Sequence, residues 1–323
     1  MAKMDVEPKV KKDTDAFRAA ISEIYAPPDH DGKRRDLLRS IEKQWGLGTK
    51  VISYMANSAS PFSGIGPDDI GPVASALQKI KHANRLLFLI HSGGGDGYTA
   101  QKIVDVCRSH CKTFVVCVPN WAKSAATLIA LGADQIAMGY LSELGPIDPQ
   151  IPVIVGGERH YVSANSFIEA KHDLEDKIAK KQAANEPTLP YLQELSGLDI
   201  AFVRECERMT EWGRQLAVRY LSKYMLAKPG TTTKAARQKA ETIANDLSTK
   251  HLQHGELIGP RECRDLGLEI LALRRNDRRW KLVWDYFVRA AIYFTLPQDG
   301  GKTHVAKIFE TTEATLGSKG PSF

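Results

Sequence analysis

Two apolar runs, Arg85–His91 (RLLFLIH) and Thr113–Pro119 (TFVVCVP), most constrain what this chain can fold into. Each is continuous rather than alternating, so each must be covered on both faces. Each is followed by a helical pattern, Tyr98–His110 after the first and a helix opening at Ser124 after the second. Strands alternating with helices at this spacing predict βαβ units and a parallel sheet layered by helices. In such sheets the chemistry sits just beyond the carboxyl ends of the strands. Two segments fall there: Ser92-Gly93-Gly94-Gly95-Asp96-Gly97 after the first strand, and Ser124-Ala125-Ala126 after the second. A glycine turn leaves backbone N–H groups open to a developing oxyanion. A serine opening a helix sits among free N–H groups that favour negative charge. The pair predicts an acyl-transfer site, with Ser124 as nucleophile and the N–H groups of Gly94, Gly95 and Ala125 as oxyanion hole. Taken alone, Ser124 also reads as an ordinary helix N-cap.

A phosphate-binding reading of the glycine turn lacks its companions. The next strand ends at Val118-Pro119-Asn120 with no acidic residue for a ribose, and no Gly-Lys-Ser/Thr follows. Acyl-enzyme chemistry calls for no organic cofactor and no metal. Cys107, His110 and Cys111 could share neighbouring helical turns but lack a fourth ligand at recognisable spacing, so they read as buried thiols.

With 43% apolar and 25% charged residues, the chain has the composition of a soluble globular protein. Its net charge of +6 is spread along the sequence apart from Arg274-Arg275-Asn276-Asp277-Arg278-Arg279, which reads as a solvated face, so no nucleic-acid partner is expected. No run reaches the roughly 18 apolar residues of a membrane span. The charged N-terminus has no apolar signal core, and five scattered cysteines suit a reducing compartment, so a cytoplasmic location is expected.

Residues 1–13 read as a polar arm. Helical periodicity covers Asp15–Tyr25 and Lys33–Trp45, and Lys50–Ala56 reads as a strand. Pro61–Pro72 is a glycine- and proline-rich loop, and Gln135–Met138 a short strand. Helices are predicted over Ser163–Lys181, Ile200 to about Leu226, and Thr233–Leu247. Ile258–Ile270 reads as turn, helix and strand. The aromatic segment Trp280–Phe294 fits either a strand or an amphipathic helix docking on a partner, and the tail from Gly317 is expected to be disordered. The implied organisation is an N-terminal helical arm (1–47), an α/β domain (48–272) and a C-terminal extension (273–323).

Ser92-Gly93-Gly94-Gly95 followed some thirty residues later by Ser124-Ala125-Ala126 resembles the Clp-protease and signal-peptide-peptidase group of the crotonase-like fold. Ser124–Asp134 and Ser142-Glu143-Leu144-Gly145-Pro146-Ile147-Asp148-Pro149-Gln150 are similar to the branch called serine dehydrogenase proteinases. The resemblance spans about 48–152 and resumes at 258–270. It implies an α/β Clp/crotonase-like ββα superhelical domain with helical N- and C-terminal extensions. It further implies a serine-type endopeptidase acting on peptide or protein substrates, and a homo-oligomer for which Trp280–Phe294 offers a contact.

The chain departs from the Clp pattern where the catalytic histidine belongs, since that neighbourhood reads Pro146-Ile147-Asp148-Pro149. Signal peptide peptidases use a lysine instead, which must be kept neutral by desolvation or a cationic neighbour. Lys171 is the candidate by distance, with Lys177 behind it. Asp148 occupies the missing histidine's place and could orient a base; His254 could be that base. His91 is expected to plug a strand end, and Lys123 to point away from Ser124. Two alternatives remain open: a catalytically inactive oligomeric scaffold, and an acyl-CoA hydrolase or hydratase of the same fold.

Overall fold

The computed structural model describes residues 29–80, 82–249, 257–296 and 302–321. Its helices are α1 (His30–Trp45), α2 (Ile70–Ile80), α3 (Gly97–Ser109), α4 (Ala125–Leu131), α5 (Ala164–Ala183), α6 (Leu189–Ser196), α7 (Ile200–Tyr220), α8 (Thr233–Thr249), α9 (Pro260–Asp265) and α10 (Arg278–Thr295). Its strands are β1 (Thr49–Ala56), β2 (Ala83–His91), β3 (Cys111–Val118), β4 (Trp121–Ala122), β5 (Gln135–Met138), β6 (Glu143–Leu144), β7 (Gln150–Val155), β8 (Glu158–Ser163), β9 (Ile270–Ala272), β10 (Thr303–Glu310) and β11 (Thr315–Pro321).

Seven strands form one sheet in the order β11-β10-β1-β2-β3-β5-β9. The five from β1 to β9 run parallel, and β10 joins β1 antiparallel. Because side chains alternate across a strand, each apolar run feeds two cores. Ile52, Tyr54, Leu86, Phe88, Ile90, Phe114 and Val116 face α2, α3, α4, α7 and α8. Val51, Met55, Leu87, Leu89, Val115 and Cys117 face α1 and α10. That double cover is why β2 and β3 carry no polar alternation.

The C-terminal region differs from expectation in two ways. Trp280–Phe294 lies in a helix whose aromatic face is consumed within the chain, with Trp280, Val283 and Tyr286 buried against α1 and the sheet. It is therefore not a surface left over for a partner. The tail from Gly317 is ordered as far as Pro321, because β11 pairs with β10 along its length. The expected helix over 15–25 lies outside the described residues.

Candidate active site

The sequence puts the glycine turn and Ser124 at one sheet edge; the register brings them into contact. Beyond β2, Ser92 bridges Ala122 of β4 in parallel. Ser92 N–H donates to the Trp121 carbonyl at 3.2 Å and Lys123 N–H to the Ser92 carbonyl at 3.0 Å. Two residues further along both chains, Gly94 meets Ser124. A Cβ on Gly94 would lie 2.7 Å from both the Ser124 Cβ and the Lys123 carbonyl, so no larger residue fits without displacing the serine. Gly94 and Gly95 both have positive φ, 103° and 145°, which side chains rarely adopt.

Ser124 itself has φ 50° and ψ −118°, a conformation that costs a non-glycine residue about 1–3 kcal/mol. Neighbouring bonds impose it: Ser124 N–H donates to the Pro146 carbonyl at 3.2 Å, and Leu128 N–H to the Ser124 carbonyl at 3.1 Å. Its side chain caps nothing, so the ordinary N-cap role does not account for it. The residue lines a groove of about 690 Å³ with the glycine turn, Tyr98, Leu128, Ile147, Tyr161 and Trp212.

The three expected N–H donors are not equivalent. Gly94 N–H is taken by Ser92 Oγ at 3.1 Å. The flanking Gly94 carbonyl and Asp96 N–H both bond the backbone of Ile65, each at 2.8 Å. Along an extended segment the intervening residue points the other way, so Gly95 N–H faces away from Ile65. Gly95 and Ala125 N–H have no hydrogen-bond partner among the described residues.

Residues 30–181 match the model of the ClpP-like, SDH-type serine proteinase family. The domain has the Clp/crotonase-like α/β fold. Two uncharacterized proteins of Methanocaldococcus jannaschii are 32% and 34% identical over 126 and 84 residues, covering 37% and 26% of this chain. The matches span 42% and 29% of those relatives, less than half the length of either. Among solved structures, a membrane-bound stomatin-specific protease is 15% identical with a TM-score of 0.38, over 68% of this chain and 79% of that one. A ClpP subunit of Listeria monocytogenes is 14% identical with a TM-score of 0.36, over 74% and 96%.

The candidate bases are scattered. Lys171 does not line the groove; its ammonium pairs with Glu207 at 3.2 Å and Glu175 at 3.9 Å. Lys177 is exposed further along α5. Lys123 turns away, as expected, to Glu143 at 2.9 Å. Asp148 is buried, accepts from the Gln150 amide at 2.9 Å, and lies between the groove residues Ile147 and Pro149. His254 lies outside the described residues. The described residues before and after it are fixed to one loop: Ile147 N–H donates to the Leu247 carbonyl at 2.9 Å, and Ile258 pairs with Leu144. Pro146, which accepts from Ser124, belongs to that same loop.

His91 plugs the end of β2, its ring 4.4 Å from Trp121 and 4.8 Å from Phe287. Burial pushes its imidazole down to about 4, against a weaker opposing bond to the Trp121 carbonyl. The unfolded chain takes up this proton near pH 6.5 and the folded one only near 4, so the native state loses stability as the pH falls between them. Denaturant melts from pH 7 to 4.5 should show a loss of about 1–3 kcal/mol that His91→Phe abolishes. An unchanged slope in that variant would refute the assignment.

Sequence reading missed the far wall of the groove. Ser60, Pro61, Ser63 and Gly64 line it; the last three were marked only as part of the glycine- and proline-rich loop Pro61–Pro72, and Ser60 not at all. Met209 and Trp212 line it from α7, which the sequence marked only as a helix.

Proposed function

We propose that this protein is a cytoplasmic serine endopeptidase in which Ser124 attacks a peptide carbonyl. Gly95 and Ala125 N–H hold the tetrahedral oxyanion, and Gly94 supplies the close approach that lets them converge. The observation that carries the reading is the contact between Gly94 and the strained, uncapped Ser124 at the floor of the groove. Strain kept at Ser124, beside two N–H groups without partners among the described residues, suits a preorganised acyl-transfer centre better than a helix cap. The apolar walls suit a peptide substrate. The five cysteines are free and buried, which fits a reducing compartment. No described helix is long and apolar enough to cross a membrane.

His254 is the base we favour, with Asp148 orienting it. Both chain segments leading to it are bonded to the loop that holds Ser124, whereas Lys171 is ion-paired on α5 outside the groove. Self-association belongs to the same reading, with exposed Ile154, Leu189 and Leu192 as apolar contact points that light scattering would test.

A fluorophosphonate probe tests the assignment. Wild type should give a single adduct that peptide mapping places on Ser124. His254→Ala should slow labelling by about 10²-fold or more, and Lys171→Ala by less than about threefold. No adduct on the folded protein would favour an inactive scaffold or an acyl-CoA enzyme. Loss of labelling in Lys171→Ala alone would restore the lysine.

A further inference from the structure

We propose that Lys307, on the C-terminal strand β10, is a positioning residue that fixes the oxyanion-binding glycine turn through the opposite wall of the groove. The inference rests on the reading of Gly95 and Ala125 as oxyanion donors, and it extends the working site beyond the 30–181 span of the family match.

Lys307 is buried, and its ammonium makes two directed contacts. It pairs with Asp69 Oδ1 at 2.6 Å and donates to the Gly64 carbonyl at 2.9 Å. Asp69 Oδ2 accepts from the Tyr54 hydroxyl at 2.8 Å and from Gly66 N–H at 2.9 Å. One lysine–aspartate pair therefore holds the backbone on both sides of Ile65. Ile65 is the residue that clasps the glycine turn, accepting from Asp96 N–H and donating to the Gly94 carbonyl. A Cβ on Gly95 would lie 2.4–2.5 Å from the Ile65 backbone, so the turn cannot shift toward Ile65. The chain of contacts runs from Lys307 through Gly64 and Ile65 to the Gly95 amide.

Two further features set this pair apart from an incidental buried ion pair. First, β10 grips the same loop elsewhere: Asn57 bonds the Ala306 and Val305 carbonyls, and His304 Nε2 lies 2.7 Å from Ser60 Oγ. Second, β10 carries a bulge between Val305 and Lys307. Val305 and Ile308 lie in the core beside α10, while Phe309 packs on Tyr54 across the sheet. Without the bulge, Lys307 would share the face of Val305; with it, the ammonium turns to the loop. Bulges re-aim side chains in this way beside active sites. A buried ion pair adds little net stability over an apolar pair of the same size. Its distinctive contribution here is direction, a donor aimed at one carbonyl.

The test compares fluorophosphonate labelling of the full chain in wild type, Lys307→Met, Lys307→Arg and the double variant Lys307→Met/Asp69→Asn. Lys307→Met leaves Asp69 buried without its cation and can lower the Tm; the double variant removes both charges and should recover it. The maximal labelling rate should fall tenfold to a hundredfold in both, with the half-saturating probe concentration unchanged within about twofold, because oxyanion donors act on the transition state. Lys307→Arg, which keeps the charge and a donor, should recover part of the rate. A double variant that melts like wild type and labels at the wild-type rate would overturn the proposal while leaving Ser124 as nucleophile intact. Wild type that does not label on Ser124 would instead remove the reading on which it rests.

Discussion

Ser124→Ala is expected to abolish the fluorophosphonate adduct and to lower kcat for peptide hydrolysis by about 10⁴–10⁶-fold, the loss typical of a deleted serine nucleophile. The same position should show the opposite effect on stability. Ser124 has a φ of 50° with ψ near −118°, held there by Pro146 and Leu128. Glycine adopts that conformation without a Cβ penalty of about 1–3 kcal/mol, but gives back about 0.5–1 kcal/mol through its freer unfolded chain. Ser124→Gly should therefore be as inactive as Ser124→Ala yet more stable than it by about 0.5–2 kcal/mol. For a chain of this size that is a rise of about 1–4 °C in Tm, readable by calorimetry. Peptide hydrolysis that survives Ser124→Ala would remove the nucleophile. A glycine variant less stable than the alanine variant would remove the strain argument.

What the sequence could and could not disclose follows from which forces are local. β2 and β3 were legible because a strand covered on both faces must be apolar throughout. The placement of Gly93–Gly95 and Ser124 at one edge follows from parallel topology alone. Their contact does not: it depends on Ser92 pairing with Ala122, a register set by tertiary packing. Neighbouring motif residues turn out to hold the frame rather than the substrate. Asp134 pairs with Arg108 at 2.8 Å, and Ser142 Oγ accepts from Gly139 N–H at 2.8 Å. The hairpin β7–β8 was missed although Gly156-Gly157, with φ 61° and 86°, marks its turn. Its first strand carries Pro152 and no clean alternation. Lys171 looked suitable by sequence distance, but distance along a chain does not reveal which face of α5 a side chain takes. β11 was read as disordered because its stability comes from pairing with β10, a neighbour that composition cannot supply.

The second large effect expected is on folding, at Glu310. This carboxylate is fully buried at the end of β10, beside an equally buried Arg34 from α1. Arg34 donates through Nε at 3.0 and 3.1 Å and through Nη2 at 2.9 Å, Tyr286 OH lies at 2.7 Å, and Thr315 Oγ1 at 2.7 Å. Tyr286 also bonds Ser53 of β1. One side chain thus joins helices α1 and α10 to strands β1 and β11, elements that the family match covers only in part. Glu310→Ala would leave the buried Arg34 guanidinium with Asp31, at 2.6 Å, as its remaining anion and would take an acceptor from Tyr286 OH and Thr315 Oγ1. Breaking a buried pair from one side costs about 3–5 kcal/mol, which corresponds to about 4–10 °C in Tm at this chain length. Replacing both partners, Arg34→Met with Glu310→Leu, removes the uncompensated charge, so most of that loss should be recovered even though more native contacts are deleted. The double-mutant cycle then yields a coupling energy of several kcal/mol. Glu310 bonds Tyr286 of α10 while Lys307 bonds the Gly64–Asp69 loop, so the folded double variant should keep its labelling rate at Ser124. A Glu310→Ala protein that melts like wild type, or a double variant as unstable as the single, would show that the pair is not what joins the terminal elements to the sheet.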